Sequence, residues 1–282
     1  MTDRLPELTR APVFPFRLEG GSQMTSKEYT FRIFRFDPAR DDEPTYRTYT
    51  LDVPQGMTVL EALLRLQAEQ DGSLAFRYAC RGAVCGSCAM MINGREELAC
   101  RTQVHGLLER TRTRYQGPDR EEIEEQADDS TLLVEPLRNL AVVKDLVVDM
   151  DPFFDKFRAV EPWLQPQEPH PERERLVEPE EWEEAEPYTN CILCACCHSV
   201  CPVEEEDPRY LGPAALAQHY RFLADVRDEA DDERLALVDG EHGVKGCDFV
   251  WNCVHICPKG VPPTEGIART RARITRKERS GE

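Results

Sequence analysis

Hydrophobic and polar positions first alternate at Tyr29, Phe31 and Ile33, with Thr30 and Arg32 between them. A period of two marks a half-buried strand. Turn residues fill Asp37 to Glu43, and then Tyr49, Leu51 and Val53 alternate in the same way. The spacing predicts a β-hairpin that ends at Pro54 and Gly56. Thr58 and Glu61, three apart, make a capping box before an apolar run. Val59, Ala62, Leu63 and Leu66 then recur at helical spacing and predict a helix with one face on a core. Short strands follow at Ala89 to Ile92 and at Glu97 to Cys100, joined by an Asn93-Gly94 hairpin turn. Thr131 to Val134 resumes strand character before Pro136.

The pattern is less regular between and after these elements. Residues 105–130 hold a basic stretch, Arg110 to Arg114, followed by an acidic one, Glu121 to Asp129. They read as a solvated insertion, partly helical. Between Lys144 and Phe157, Leu146, Val147, Met150, Phe154 and Phe157 form a helical face interrupted by Pro152, which implies one or two helices. Pro162 to Pro187 is a proline- and glutamate-rich linker, with Trp163 and Trp182 as expected anchors and a solvated acidic run from Glu178 to Glu186. Pro213 starts a helix whose apolar stripe is Leu216, Tyr220, Leu223 and Val226, and Gly266 to Lys277 predicts a basic helix.

A chain of 282 residues exceeds one average domain, so two are expected, with cores that need no disulfides. The first residues lack an apolar signal-peptide segment, and no stretch of about 18 apolar residues exists to span a membrane. The net charge of −18 argues against nucleic-acid binding, which needs a basic footprint, and reads as an acidic solvated surface.

Twelve cysteines change the picture. In a chain of this length without a signal peptide, reduced thiols that bind metal are the expected use. Cys80, Cys85 and Cys88, with Cys100 further on, have the C-x4-C-x2-C…C spacing of plant-type 2Fe-2S proteins. Gly82 and Gly86 suit a loop that must offer N–H groups to sulfur and adopt φ values that side chains disfavour. Cys191, Cys194, Cys197 and Cys201, followed by Pro202, match the bacterial run C-x2-C-x2-C-x3-C-P, whose fourth cysteine ligates the other cluster. Cys247, Cys253 and Cys257, before Pro258, form the return leg, the only internal repeat. A crossed assignment follows. Cys191, Cys194, Cys197 and Cys257 hold a 4Fe-4S cluster. Cys201, Cys247 and Cys253 hold a second cluster with three thiolates, which suits 3Fe-4S. The return leg is one cysteine short, and the gap falls near Phe249 or Val250. A structural zinc site is the competing use of such thiolates, but zinc sites rarely employ so many. Cys196 is left over and reads as a buried filler. His198 and His255 read as local hydrogen-bonding groups.

The expected fold is α+β: a β-grasp 2Fe-2S ferredoxin domain, then an all-α helical ferredoxin domain with two clusters. The expected boundaries are a loose arm over 1–24, the first domain over 25–140 including the charged insertion 105–130, and the second over 141–282. This order resembles the iron-sulfur subunit of succinate dehydrogenase and fumarate reductase. The residues that carry the likeness are Arg77 to Cys88, Leu146 to Met150, Cys191 to Cys197 and Cys257 to Gly260. The resemblance implies a flavoprotein partner whose FAD interconverts succinate and fumarate, and membrane anchor subunits with or without haem. It also implies a peripheral position on the cytoplasmic face of the cell membrane and a relay of electrons to quinone.

The family's ubiquinone-type members carry a tryptophan soon after the first Cys-Pro and a histidine just after the first cysteine of the return leg. Here those positions are Glu206 and Asp248. Phe249 and Arg271 instead match menaquinol-oxidising fumarate reductases. The resemblance therefore implies a menaquinone-type quinone near Pro202, Asp248, Phe249, Trp251 and Arg271, although core packing is the plainer role for Trp251 and a solvated helical face the plainer role for Arg269 and Arg271. Two other functions compete. A soluble thiol-linked fumarate reductase shares these domains but typically carries a long cysteine-rich C-terminal extension, which is not found before Glu282. A free multi-cluster ferredoxin would need less chain.

Overall fold

The computed structural model describes residues 26–107, 112–116, 121–125, 131–166 and 172–280. The expected arm over 1–24 lies outside them.

β1 (Ser26–Arg35) and β2 (Thr45–Pro54) form the predicted hairpin, with Tyr29, Phe31 and Ile33 buried along β1 and Tyr49, Leu51 and Val53 along β2. α1 (Val59–Glu69) starts at the capping box: Thr58 Oγ1 accepts from Glu61 N–H, and the Glu61 carboxylate accepts from Thr58 N–H. β3 (Ala89–Ile92) and β4 (Arg95–Leu98) flank Asn93 and Gly94, whose positive φ values of 51° and 77° give the turn its hairpin twist.

The charged insertion is a correction. Its basic and acidic stretches pair as antiparallel strands, β5 (Arg112–Gln116) and β6 (Glu121–Glu125), with no helix among the described residues there. The register runs from Arg112 opposite Glu125 to Gln116 opposite Glu121.

β7 (Thr131–Glu135) lies parallel to β1 and completes a sheet in the order β2-β1-β7-β3-β4. The sheet and α1 enclose a core of Phe31, Ile33, Leu60, Leu63, Leu66, Met90 and Leu132. Arg35 ties this half together from inside, donating to Asp145 at 2.9 Å, Tyr49 at 2.7 Å and Ser73 at 2.8 Å. These bonds outweigh desolvation and hold the guanidinium pKa above its ordinary value, while desolvation of the Asp71 carboxyl is overcome by Ser73, Tyr49 and Arg35, which hold it below the carboxylate range.

The helix expected between Lys144 and Phe157 is shorter. β8 (Val142–Lys144) and β9 (Val147–Val148) form a small hairpin, and α2 (Asp151–Ala159) begins only with Pro152 in its first turn, where a missing N–H costs nothing. Leu146 joins the first core, and Phe153, outside the expected stripe, is the buried aromatic of α2.

α3 (Pro179–Trp182) and α4 (Glu186–Thr189) interrupt the expected linker. Trp182 packs against the second core, whereas Trp163 is 53% exposed. α5 (Cys196–Ser199) and α6 (Pro202–Glu206) carry the first cysteine leg. α7 (Gly212–Leu223) is buried on nearly all sides rather than along one stripe, and Val226 lies beyond it, half exposed. α8 (Asp231–Val238) and α10 (Pro263–Ser280) pack on α7, and α9 (Asn252–His255) packs on α5 and α10. Arg234, fully buried on α8, makes a bidentate pair with Asp228 at 2.6 Å and donates to the carbonyls of Glu161 and Trp163.

The two halves share a third apolar cluster: Leu137, Val148, Phe153, Ala195 and Ala214, with Leu193 and Cys197 against it.

Candidate iron-sulfur centres

The loop between α1 and β3 leaves its sulfurs surrounded by amide groups. The N–H groups of Gly82, Val84 and Cys85 reach the Cys80 sulfur at 3.3–3.4 Å, Cys80 N–H donates to Cys85, and Ala83 N–H donates to Cys100 at 3.3 Å. The required left-handed backbone falls at Arg81, Ala83 and Gly86, with φ of 55°, 55° and 73°, and not at Gly82. Side chains bear that strain at two of the three positions, a feature of functional loops. The Ser87 hydroxyl, assisted by amides of Cys80 and Ser87, draws the Cys85 thiol down to about 6, while burial pushes Cys88 up to about 12. Cys80 and Cys85 are exposed, Cys88 is buried, and β4 returns Cys100 to the group.

The two legs of the helical half are copies of one backbone motif. In the first, Leu193 and Ala195 have φ of 53° and 63°, a single turn runs from Cys196 to Ser199, and Cys201 and Pro202 follow. In the second, Phe249 and Trp251 have φ of 56° and 63°, a single turn runs from Asn252 to His255, and Cys257 and Pro258 follow. The hydrogen bonds repeat as well: Ala195 C=O accepts from His198 and Ser199, and Trp251 C=O accepts from Val254 and His255. Cys191, Cys197 and Cys201 therefore correspond to Cys247, Cys253 and Cys257. The counterpart of Cys194 is Val250.

Cys191, Cys194, Cys197 and Cys257 line one pocket, closed by Phe153, Ala214 and Val261, so the last cysteine of the second leg faces the first leg. Cys201, Cys247 and Cys253 form a separate group around the buried ring of Tyr210, whose hydroxyl donates to Cys247. Burial pushes Cys191 and Cys253 up to about 11 and Cys201 up to about 12. As ligands these buried groups would be thiolates, their charge offset by the irons they hold. No three His, Cys, Asp or Glu among the described residues close to the spacing of a single metal ion. The donor set, thiols throughout, fits clusters.

Supporting groups were not read in the sequence. Asn139, in a left-handed conformation, donates its amide to the carbonyls of His198, Ser199 and Cys201 at 3.0–3.2 Å and so clamps the first leg to the strand half. Ser199 donates to buried Glu96 on β4. His198 Nδ1 lies 2.8 Å from Glu204, which Lys156 also meets. Arg101 donates to the carbonyl of Pro258 at 3.1 Å. An asparagine in a loop carries no pattern that separates such a clamp from a turn. Gly86 sets the closest approach: a Cβ there would stand 2.7 Å from Ile192 O and 2.9 Å from the Cα and Cβ of Cys194. His255 is exposed, and its carbonyl accepts from Arg95. Cys196 is fully buried beside Cys194, as expected of a filler.

Two family models match the chain: a 2Fe-2S iron-sulfur cluster binding domain over residues 30–155 and a 4Fe-4S dicluster domain over residues 187–261. The succinate dehydrogenase iron-sulfur subunit of Coxiella burnetii is 36% identical over 256 residues, which cover 90% of this chain and all of that one. The chain belongs to the family of succinate dehydrogenase iron-sulfur subunits. The mitochondrial succinate dehydrogenase (ubiquinone) iron-sulfur subunit 1 of Oryza sativa subsp. japonica is 37% identical, over 84% of this chain and 79% of its own length. The Mycobacterium smegmatis Sdh1 complex in the apo form contains a chain of the same fold, with a TM-score of 0.76 and 25% identity over 92% of this chain and 99% of that one. The α+β architecture is therefore that of the family. As a member, the chain is a component of an oxidoreductase complex with a 2Fe-2S and a 4Fe-4S domain.

Of the residues expected near quinone, Phe249 and Arg271 come together. The Arg271 guanidinium lies over the Phe249 ring, 5.7 Å from its centroid, and both line an open groove with Ala272, Thr275 and Arg276. Pro202, Asp248 and Trp251 do not line it. Trp251 is 39% exposed, so its ring is not the core packing expected of it. Arg269 pairs with Glu184 at 3.2 Å. Among the described residues no helix is long and apolar enough to cross a membrane.

Proposed function

We propose that this chain relays electrons between the FAD of a flavoprotein subunit and a membrane quinone, as the iron-sulfur subunit of a succinate:quinone oxidoreductase. In this reading Cys80, Cys85, Cys88 and Cys100 hold 2Fe-2S. Cys191, Cys194, Cys197 and Cys257 hold 4Fe-4S, and Cys201, Cys247 and Cys253 hold 3Fe-4S. The clusters supply one-electron carriers whose potentials follow hydrogen bonding and burial. The chain supplies the order.

One observation carries the proposal: the three cysteine groups form an unbroken row. Gly86 brings the first loop onto Ile192 and Cys194, and α5, which carries Cys197 of the second group, packs on α9, which carries Cys253 of the third. Both ends of the row reach the surface. Val84, 64% exposed, and Tyr78, 39% exposed, surround the first loop, and Trp251 stands beside the last group. A flavoprotein suits the first end. A membrane anchor and quinone, of the menaquinone type, suit the second, where Phe249 and Arg271 meet. In this reading the chain is held peripherally on the cytoplasmic face of the membrane. Isolation of the native complex tests it: a flavoprotein and an anchor chain should co-purify, and a lone chain or a thiol-linked partner would contradict it.

The crossed ligation makes a sharper prediction. Cys253 and Cys257 are four positions apart but face different groups. Cys253→Ser is expected to abolish or distort the 3Fe EPR signal and spare the 4Fe signal, and Cys257→Ser to do the reverse. Loss of one and the same cluster in both variants would defeat the assignment.

A further inference from the structure

Cys253 differs from its counterpart Cys197 in what its sulfur touches. Cys197 lines a pocket with the thiols of Cys191, Cys194 and Cys257. Cys253 Sγ instead lies 3.0 Å from the hydroxyl oxygen of Thr264, and both residues are buried, with 8% and 1% of their surface exposed. Thr264 sits in the first turn of the eighteen-residue α10, and its backbone amide also bonds to Cys253. The positive end of a long helix is therefore aimed at this sulfur. The Thr264 hydroxyl makes no other hydrogen bond among the described residues, although Thr270 and Thr275 on the same helix return theirs to the carbonyls of Gly266 and Arg271.

We propose that Thr264 is a positioning residue for electron transfer, which raises the reduction potential of the last centre by donating its hydroxyl hydrogen bond to the Cys253 sulfur. The inference rests on Cys253 being a ligand of that centre, as argued above. A ligating cysteine has no proton, so the threonine must be the donor. Reduction adds charge to the cluster and its sulfurs, and a hydrogen bond to a sulfur that gains charge favours the reduced state. A buried site strengthens the effect, because water does not compete. The asymmetry between Cys197 and Cys253 then gives the two neighbouring centres different potentials, with the higher one at the end of the row. The same helix carries Arg271 to Phe249, so α10 serves both the sulfur and the groove.

The test uses the intact complex. Thr264→Val keeps the shape and removes the donor, and Thr264→Ser keeps the donor. Potential-dependent EPR of the 3Fe signal is expected to show the valine variant shifted downward by about tenfold in the one-electron equilibrium, or ~59 mV. The serine variant should stay near the native value, and the 2Fe and 4Fe potentials should not move. An unshifted valine variant overturns the proposal. So does loss of the cluster from the valine variant with the serine variant intact, because that assigns the hydroxyl to assembly. Absence of any 3Fe signal in the native complex would instead overturn the cluster assignment beneath it.

Discussion

Val250→Cys is expected to convert the last centre from three irons to four. Val250 occupies the position in the second leg that Cys194 occupies in the first, between left-handed residues at Phe249 and Trp251 that match Leu193 and Ala195. The backbone is therefore already shaped to present a fourth thiolate. Valine cannot ligate iron, and each corner iron of a cube needs a ligand, most often a thiolate. Restoring the thiolate should replace the oxidised 3Fe signal with a reducible 4Fe signal of lower potential. A lower potential at the end of the row weakens the drive toward quinone, about tenfold in the one-electron equilibrium for each 59 mV, so quinone-reductase turnover should fall. Anaerobic EPR titration beside turnover makes the measurement. An unchanged 3Fe signal would mean that local shape, and not the absent sulfur, sets the cluster type. A converted cluster with full turnover would separate the vacancy from the quinone step.

Gly86→Ala is expected to damage the junction between the halves. The substitution meets two obstacles at once. The φ of +73° strains any L side chain, which costs roughly 1–3 kcal/mol. The new methyl would also lie 2.7–2.9 Å from Ile192 O and from Cys194, largely backbone atoms that cannot rotate away. Relief requires the first loop to withdraw from the first leg. The thermal midpoint should drop by several degrees. Rapid-freeze EPR should show the 2Fe centre reduced at the native rate and the 4Fe centre reduced more slowly. Native stability with native transfer would show that the close approach at Gly86 does not set the spacing of the row.

Much of this was legible from residue order. The alternation at Tyr29 to Ile33 and at Tyr49 to Val53, the Thr58–Glu61 capping box and the Asn93-Gly94 turn are local signals, and local geometry honoured each. Cysteine spacing announced three groups because a loop that wraps a cluster must return sulfurs at short, fixed intervals. The misreadings share a cause. The insertion 105–130 was expected to be partly helical, but its described residues pair as strands, and that pairing lies between stretches five residues long that no local signal marks. Leu146 and Val147 fell at helical spacing by coincidence, and Pro152 marked the true start of α2. Gly82 was credited with a left-handed backbone that Arg81 and Ala83 adopt, because amide groups of this loop and the sulfurs of Cys80 and Cys100 over-determine it. Asn139, Tyr210 and Thr264 act across long stretches of chain, and no spacing rule ties them to Cys201, Cys247 or Cys253.

The central claim is that eleven of the twelve cysteines hold a row of three clusters with a vacant corner at the last. Anaerobic iron and sulfide analysis of the purified complex, combined with EPR in the oxidised and reduced states, tests it most directly. The expected result is about nine irons and ten sulfides per chain from the three cluster types. A 3Fe signal should be visible on oxidation, and 2Fe and 4Fe signals on reduction. Stoichiometric zinc, or an oxidised sample without a 3Fe signal, would contradict it.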